Sequence, residues 1–183
     1  MPRILRNPKT GETITVEKSS RDTDGALFRM SYRMSPHGAI AAEHAHPNQE
    51  MTIKVLSGRL TCSLDGVDKH VAAGTEVVIP AGVNHFQRND TDEEVHAVEE
   101  YRPALQMQEF FETLIGWAND GKTNEAGLPS MLRFAVLLRY FRESTRSSSQ
   151  QTNFLALLLA PVGRALGYQK EIEGYIRRAG NQE

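Results

Sequence analysis

The hydrophobic period of this chain changes once, at Pro103, and that change limits the folds open to it. Before Pro103, short runs of β-branched and aromatic residues are cut by turn residues at close intervals. Thr13-Ile14-Thr15-Val16 follows the turn Lys9-Thr10-Gly11. From Ala26 to Met34 the pattern alternates, placing Phe28, Met30, Tyr32 and Met34 on one face. Asp65-Gly66 is a hairpin turn between Leu60-Thr61-Cys62-Ser63-Leu64 and Lys69-His70-Val71. Val77-Val78-Ile79 stops at Pro80-Ala81-Gly82, and Val95 to Tyr101 makes a last strand. Many short strands with regular turn signals predict a closed barrel or a sandwich.

After Pro103 the apolar residues recur at helical spacing. Leu105, Phe110, Phe111, Leu114, Ile115 and Trp117 mark a first helix, with Gly121 beyond its end. Met131 to Phe141 reads as a second helix carrying Arg133 and Arg139, and Ser147-Ser148-Ser149-Gln150-Gln151 as a polar linker. A third helix is expected to start near Asn153, with a kink at Pro161. The chain of 183 residues thus divides into a β-rich part, 1–103, and a helical extension, 104–183.

Composition narrows the function classes. The formal net charge of −2 lacks the basic excess of a nucleic-acid binder. One cysteine, Cys62, forms no internal disulfide, and its place between Leu60 and Leu64 predicts a buried core position. The opening Met1-Pro2-Arg3-Ile4-Leu5-Arg6-Asn7-Pro8 has no apolar run after its charges, and no stretch reaches the ~18 apolar residues of a membrane span. The expected location is the cytoplasm.

The histidines carry the chemistry. Gly38 is followed by five residues, then His44-Ala45-His46, then three residues, then Glu50, with Gly58 closing the segment. The second segment runs Gly74, five residues, Pro80-Ala81-Gly82, two residues, His85, three residues, Asn89. These segments resemble the two motifs of the cupins, and the second fits that family's pattern at every position. The resemblance covers roughly residues 35–100 and implies a jelly-roll barrel holding one divalent transition metal through His44, His46 and His85. Alternation in an extended strand agrees, since side chains two apart face the same way. Three imidazoles suit Zn, Fe, Mn, Ni or Cu alike. The competing expectation is a cupin that keeps the fold without the ion.

Glu50 is the candidate fourth ligand, but it stands one residue before the family's usual acid position, which Met51 fills. Met51, Ile53 and Val55 form an apolar alternating set that turns Glu50 outward, unless a bulge after Pro47 rotates it in. Gln49 is a further, weaker candidate. His37 and His70 read as surface residues, and His96 lies opposite Val95 and Ala97 on the last strand, with a reach into the pocket as its alternative.

The extension, in Phe110-Phe111-Glu112-Thr113-Leu114 and in Ala160-Pro161-Val162-Gly163-Arg164-Ala165-Leu166-Gly167-Tyr168, resembles that of a group of bacterial cupin-domain proteins. Its apolar helices need cover, from the barrel or a partner subunit in the first place and from a membrane surface as the less favoured alternative. A homodimer is expected. Two functions stay open beside that of a structural or interaction protein whose metal only stabilises the barrel. One is an enzyme of oxygenase or isomerase type acting on a small organic molecule. The other is a non-catalytic barrel that binds or senses a small molecule and passes occupancy to a partner through the tail.

Overall fold

A computed structural model describes residues 3–40 and 42–180; Met1 and Pro2, which open the N-terminal stretch read above, lie outside the described residues. The β-rich part comprises β1 (Arg3–Arg6), β2 (Thr13–Lys18), β3 (Phe28–Met34), β4 (His44–Ala45), β5 (Glu50–Ser57), β6 (Arg59–Leu64), β7 (Val67–Ala72), β8 (Glu76–Ile79), β9 (His85–Arg88) and β10 (Val95–Arg102). The extension holds α1 (Met107–Asn119), α2 (Met131–Tyr140), β11 (Arg146–Ser147), α3 (Gln150–Ala165) and α4 (Tyr168–Gly180).

Two antiparallel sheets face each other. One has the order β1-β2-β3-β10-β5-β8, the other β11-β4-β9-β6-β7. Consecutive strands repeatedly change sheet, as in a jelly roll, and the inward residues of both sheets fill the space between them. β10 lies between β3 and β5, pairing Ala97 with Tyr32 and Val55, Glu99 with Met30 and Ile53, and Tyr101 with Phe28 and Met51. The alternation read in Phe28, Met30, Tyr32 and Met34 is borne out, since all four are buried. Cys62 is fully buried between the sheets, and burial pushes its thiol up to about 12. At Asp65-Gly66 both residues take positive φ, 46° and 81°, the backbone of a tight hairpin turn. Gly58 stands at φ 78°, where a Cβ would meet the Glu94 carbonyl oxygen at 2.7 Å, so the β5–β6 corner closes only on glycine.

The extension is tied to the barrel by packing and by pairing. Ala104, Met107 and Ile115 belong to the barrel's own apolar cluster, while Trp117, Val136, Leu137, Phe141 and Ile172 centre a second one among the helices. Phe110 packs against both. The segment read as a polar linker turns out to be structured: Arg146 and Ser147 pair with Ala45 and His44, and Ser149 caps α3 by accepting from the Thr152 amide. Polar residues served here as strand and cap, two roles that composition does not separate from a loop. Pro161 lies inside α3, which continues past it to Ala165. Among the described residues no helix is long and apolar enough to cross a membrane.

Candidate metal centre

Two strands bring the histidines together. β4 begins with His44, His46 follows its end directly, and β9 begins with His85, which pairs directly with His44. The Pro80–Gly82 turn that delivers β9 is fixed on the same element, because the Gly82 amide donates to the His46 carbonyl at 2.8 Å. The ring centroids lie 4.4 Å apart for His44–His85 and 5.0 Å for the other two pairs. One nitrogen from each ring falls within 4.8 Å of the others.

The second nitrogen of each ring fixes its tautomer. Nδ1 of His44 lies 3.0 Å from the Ala42 carbonyl, that of His85 3.1 Å from Val83, and that of His46 2.7 Å from Ser144. A carbonyl only accepts, so each Nδ1 carries the proton and each Nε2 presents its lone pair. The Nε2 atoms of His46 and His85 are buried and have no hydrogen-bond partner among the described residues. Two bare acceptors beside each other cost free energy unless something is bound between them. Burial holds His44 and His46 below the ordinary imidazole range and takes His85 down to about 4, with the neighbouring rings adding to it in His46 and His85. The three rings therefore stay neutral near pH 7, the state in which imidazole ligates. Neutral nitrogen donors of this kind fit a divalent transition ion.

Glu50 does not join them. The β5–β10 register runs unshifted from Glu50 opposite Arg102 to Val55 opposite Ala97, so Glu50 is exposed and Met51 fully buried. No bulge within that pairing turns the acid inward, and among the described residues the cluster consists of the three histidines. Gln49 is buried; its Nε2 donates to the Pro103 and Ala104 carbonyls at 2.8 Å each, and its Oε1 is left without a partner among the described residues. Asn89, the last residue of the second motif, is a loop staple, donating to Ser35 and Glu93 carbonyls and accepting from Thr91. His37 and His70 lie exposed as read, while His96 is half-buried on the alternate face of β10.

Two features of the site went unread in the sequence. The first is Ser144, whose carbonyl reaches His46 from 98 residues away. The second is a buried polar chain behind the histidines. Tyr32 donates to Gln87 Oε1 (2.7 Å), Gln87 Nε2 donates to Glu99 (2.9 Å), and Tyr101 donates to the other Glu99 oxygen (2.6 Å). The Tyr101 ring in turn packs edge-on against His46 at 5.1 Å. Burial raises the Glu99 carboxyl to about 7 against the pull of its two hydrogen bonds. Its parity with Ala97 and Tyr101 was the available signal: an acid on the inward face of an apolar strand.

Residues 30–100 match the model of the cupin domain family. With the two-sheet topology, this makes the barrel a cupin domain. Among curated proteins, the chain is 34% identical over 85 residues to a polyketide synthase, CurC, from Streptomyces cyaneus. That match takes in 46% of this chain and 51% of the relative, so the chain spans about half the relative's length. Solved structures of similar shape include an uncharacterised double-stranded β-helix protein from Klebsiella pneumoniae (25% identity, TM-score 0.41, 44% of this chain and 66% of that one). A sugar phosphate isomerase of the cupin superfamily from Silicibacter pomeroyi (18%, 0.45, 51% and 60%) and KdgF from a Halomonas species (13%, 0.47, 54% and 84%) are two more.

Proposed function

We propose that the barrel binds one divalent transition metal (Zn, Fe, Mn, Ni or Cu) through Nε2 of His44, His46 and His85 and acts on a small organic molecule. The observation that carries this reading is the pair of buried, unpartnered Nε2 atoms on His46 and His85, held in one tautomer by backbone carbonyls. A bound ion of this type polarises a carbonyl or enolate oxygen. The polar chain behind it supports proton transfer of isomerase type over oxygenase chemistry. Glu99 holds or releases a proton near neutral pH, and Tyr101 lies between it and the His46 ring. The likeness to a protein named as a polyketide synthase supports a carbonyl-bearing molecule as the ligand. The second reading, a non-catalytic sensor barrel, draws on the tail: Ser144 and β11 lie against the histidine-bearing strand and offer a route for occupancy to reach the helices. In either case residues 1–103 form the barrel domain, 104–183 its covering extension, and the chain works as a cytoplasmic homodimer that binds no nucleic acid.

Elemental analysis of freshly purified protein tests the core of this proposal. One transition ion per chain is expected, and His46→Ala or His85→Ala should lower metal content at least about 10-fold while the barrel stays folded, because its core is apolar. Wild-type metal content in His85→Ala would sink the assignment.

A further inference from the structure

We infer that the outward face of α3 is a self-association surface on which a second copy of this chain packs about a two-fold axis at the level of Ala160. The starting point is an inversion of the usual amphipathic pattern. On α3 the small residues face in: Ala156, Ala160 and Gly163 are buried, and α2 lies so close that a Cβ on Gly163 would fall 2.5 Å from a Val136 methyl group. The large residues face out. Phe154 keeps 60% of its surface exposed, Leu155 49%, Leu157 51%, Leu158 54%, Val162 51% and Leu166, just past the helix, 58%. A helix that ends in water has the opposite arrangement.

Area and pattern both select a second copy. Covering these side chains on two chains removes on the order of 1,000 Å² from water, enough to reach the lower range of specific interfaces. Phe154, Leu158, Val162 and Leu166 are spaced four apart and make one continuous ridge. The ridge is symmetric about residue 160: Phe154 and Leu166 lie equally far from it, and so do Leu158 and Val162. A two-fold axis there sets Phe154 against Leu166 of the other copy and Leu158 against Val162, which is the self-complementarity an isologous contact requires. Ridges of this spacing interlock at a crossing angle of about −50°. Charge does not oppose the pairing, because Arg164 is the one charged residue of α3 and lies at 3.6 residues per turn well round from the ridge. A lipid surface fits less well. Helices that lie in an interface carry Lys and Arg on their other face, and here that face is alanine and glycine packed on α2.

The inference rests on the homodimer reading and locates its contact. Light scattering on the full chain at micromolar concentration should give twice 20.4 kDa. Leu158→Glu should weaken association about 100-fold or more, by placing an unpaired charge in the contact on each copy. The double variant L158E/V162K should restore the dimer, since the two new charges then face each other across the axis. Far-UV circular dichroism checks that each variant folds. Independently of charge, oxidised L158C/V162C should run as a covalent dimer on a non-reducing gel, with Cys62 buried and silent. A monomeric wild type, alone or floating with phosphatidylcholine vesicles, would overturn the homodimer reading and this one together. A wild-type dimer that persists in Leu158→Glu and gives no cross-link would overturn the placement on α3 alone.

Discussion

Glu99 is one carboxyl inside an apolar barrel, and its neutral form is the one the fold favours. Its ordinary value is 4.5 and its folded value about 7, so between those limits the folded chain keeps a proton that the unfolded chain gives up. Stability from this group is therefore full below pH 4.5, falls as pH rises through the window, and is lost above 7. Glu99→Gln is neutral at every pH and can keep both hydrogen bonds, because the Tyr101 hydroxyl can turn to accept from the new amide. Relative to wild type, the metal-free variant should gain about 1.4 kcal/mol per pH unit across the window, roughly 3 kcal/mol in all. Urea denaturation of both proteins at pH 5 and pH 8 reads this difference directly, and equal differences at the two pH values would show that Glu99 is not held neutral. Glu50 gives the contrasting case. It is exposed at the start of β5 opposite Arg102, so Glu50→Ala should leave metal content at the wild-type level. A fall as large as that of a histidine variant would mean that the acid swings inward when the ion binds.

At the scale of elements, α2 and α3 meet through Gly163, and the contact leaves no room. Alanine has the better helix propensity by about 1 kcal/mol. Its Cβ, however, would sit 2.5 Å from Val136 Cγ2 and 2.9 Å from the Leu132 carbonyl, and the backbone oxygen cannot swing aside. Gly163→Ala should therefore destabilise by about 1–3 kcal/mol, seen as a lower urea midpoint with an unchanged slope. Removing every element after Pro103 should do more. It uncovers the barrel face that holds Met107 and Ile115 and strips Ser144 from His46. Insoluble protein is the expected product of a 1–103 fragment, and a soluble, metal-replete one would show the barrel to be self-sufficient. The strands were legible because a period of two is written locally, and His44, His46 and His85 because their spacing matches a motif. Ser144 was not legible, since its part is played by a carbonyl that every residue type possesses. β11 was hidden for a related reason: two residues pair there only because tertiary contacts place them beside β4. The fourth helix lay beyond the reading, with the period of Ile172, Tyr175 and Ala179 set among many charges.

For the whole molecule, barrel and extension should melt as one when the centre is loaded. A ligand that binds only the folded state adds about 2.7 kcal/mol at a hundredfold excess over its Kd. Trp117, the one tryptophan, is fully buried in the helical cluster and not in the barrel, so its fluorescence reports on the extension. Chelation should lower the midpoint seen by Trp117 by as much as that seen by the β-sheet signal. A tryptophan transition indifferent to the chelator would mean that the Ser144–His46 contact couples nothing. That contact also sets an order in time. A chain is made from its N-terminus, and barrel strands can begin to fold while the rest is still being added. His46 is synthesised 98 residues before the carbonyl that orients it. A nascent barrel thus has His44 and His85 with their orienting carbonyls, while His46 gains its own only after Ser144 has been added and has folded back. A fragment that ends before Ser144 should therefore hold the His46 ring less firmly than the longer chain does.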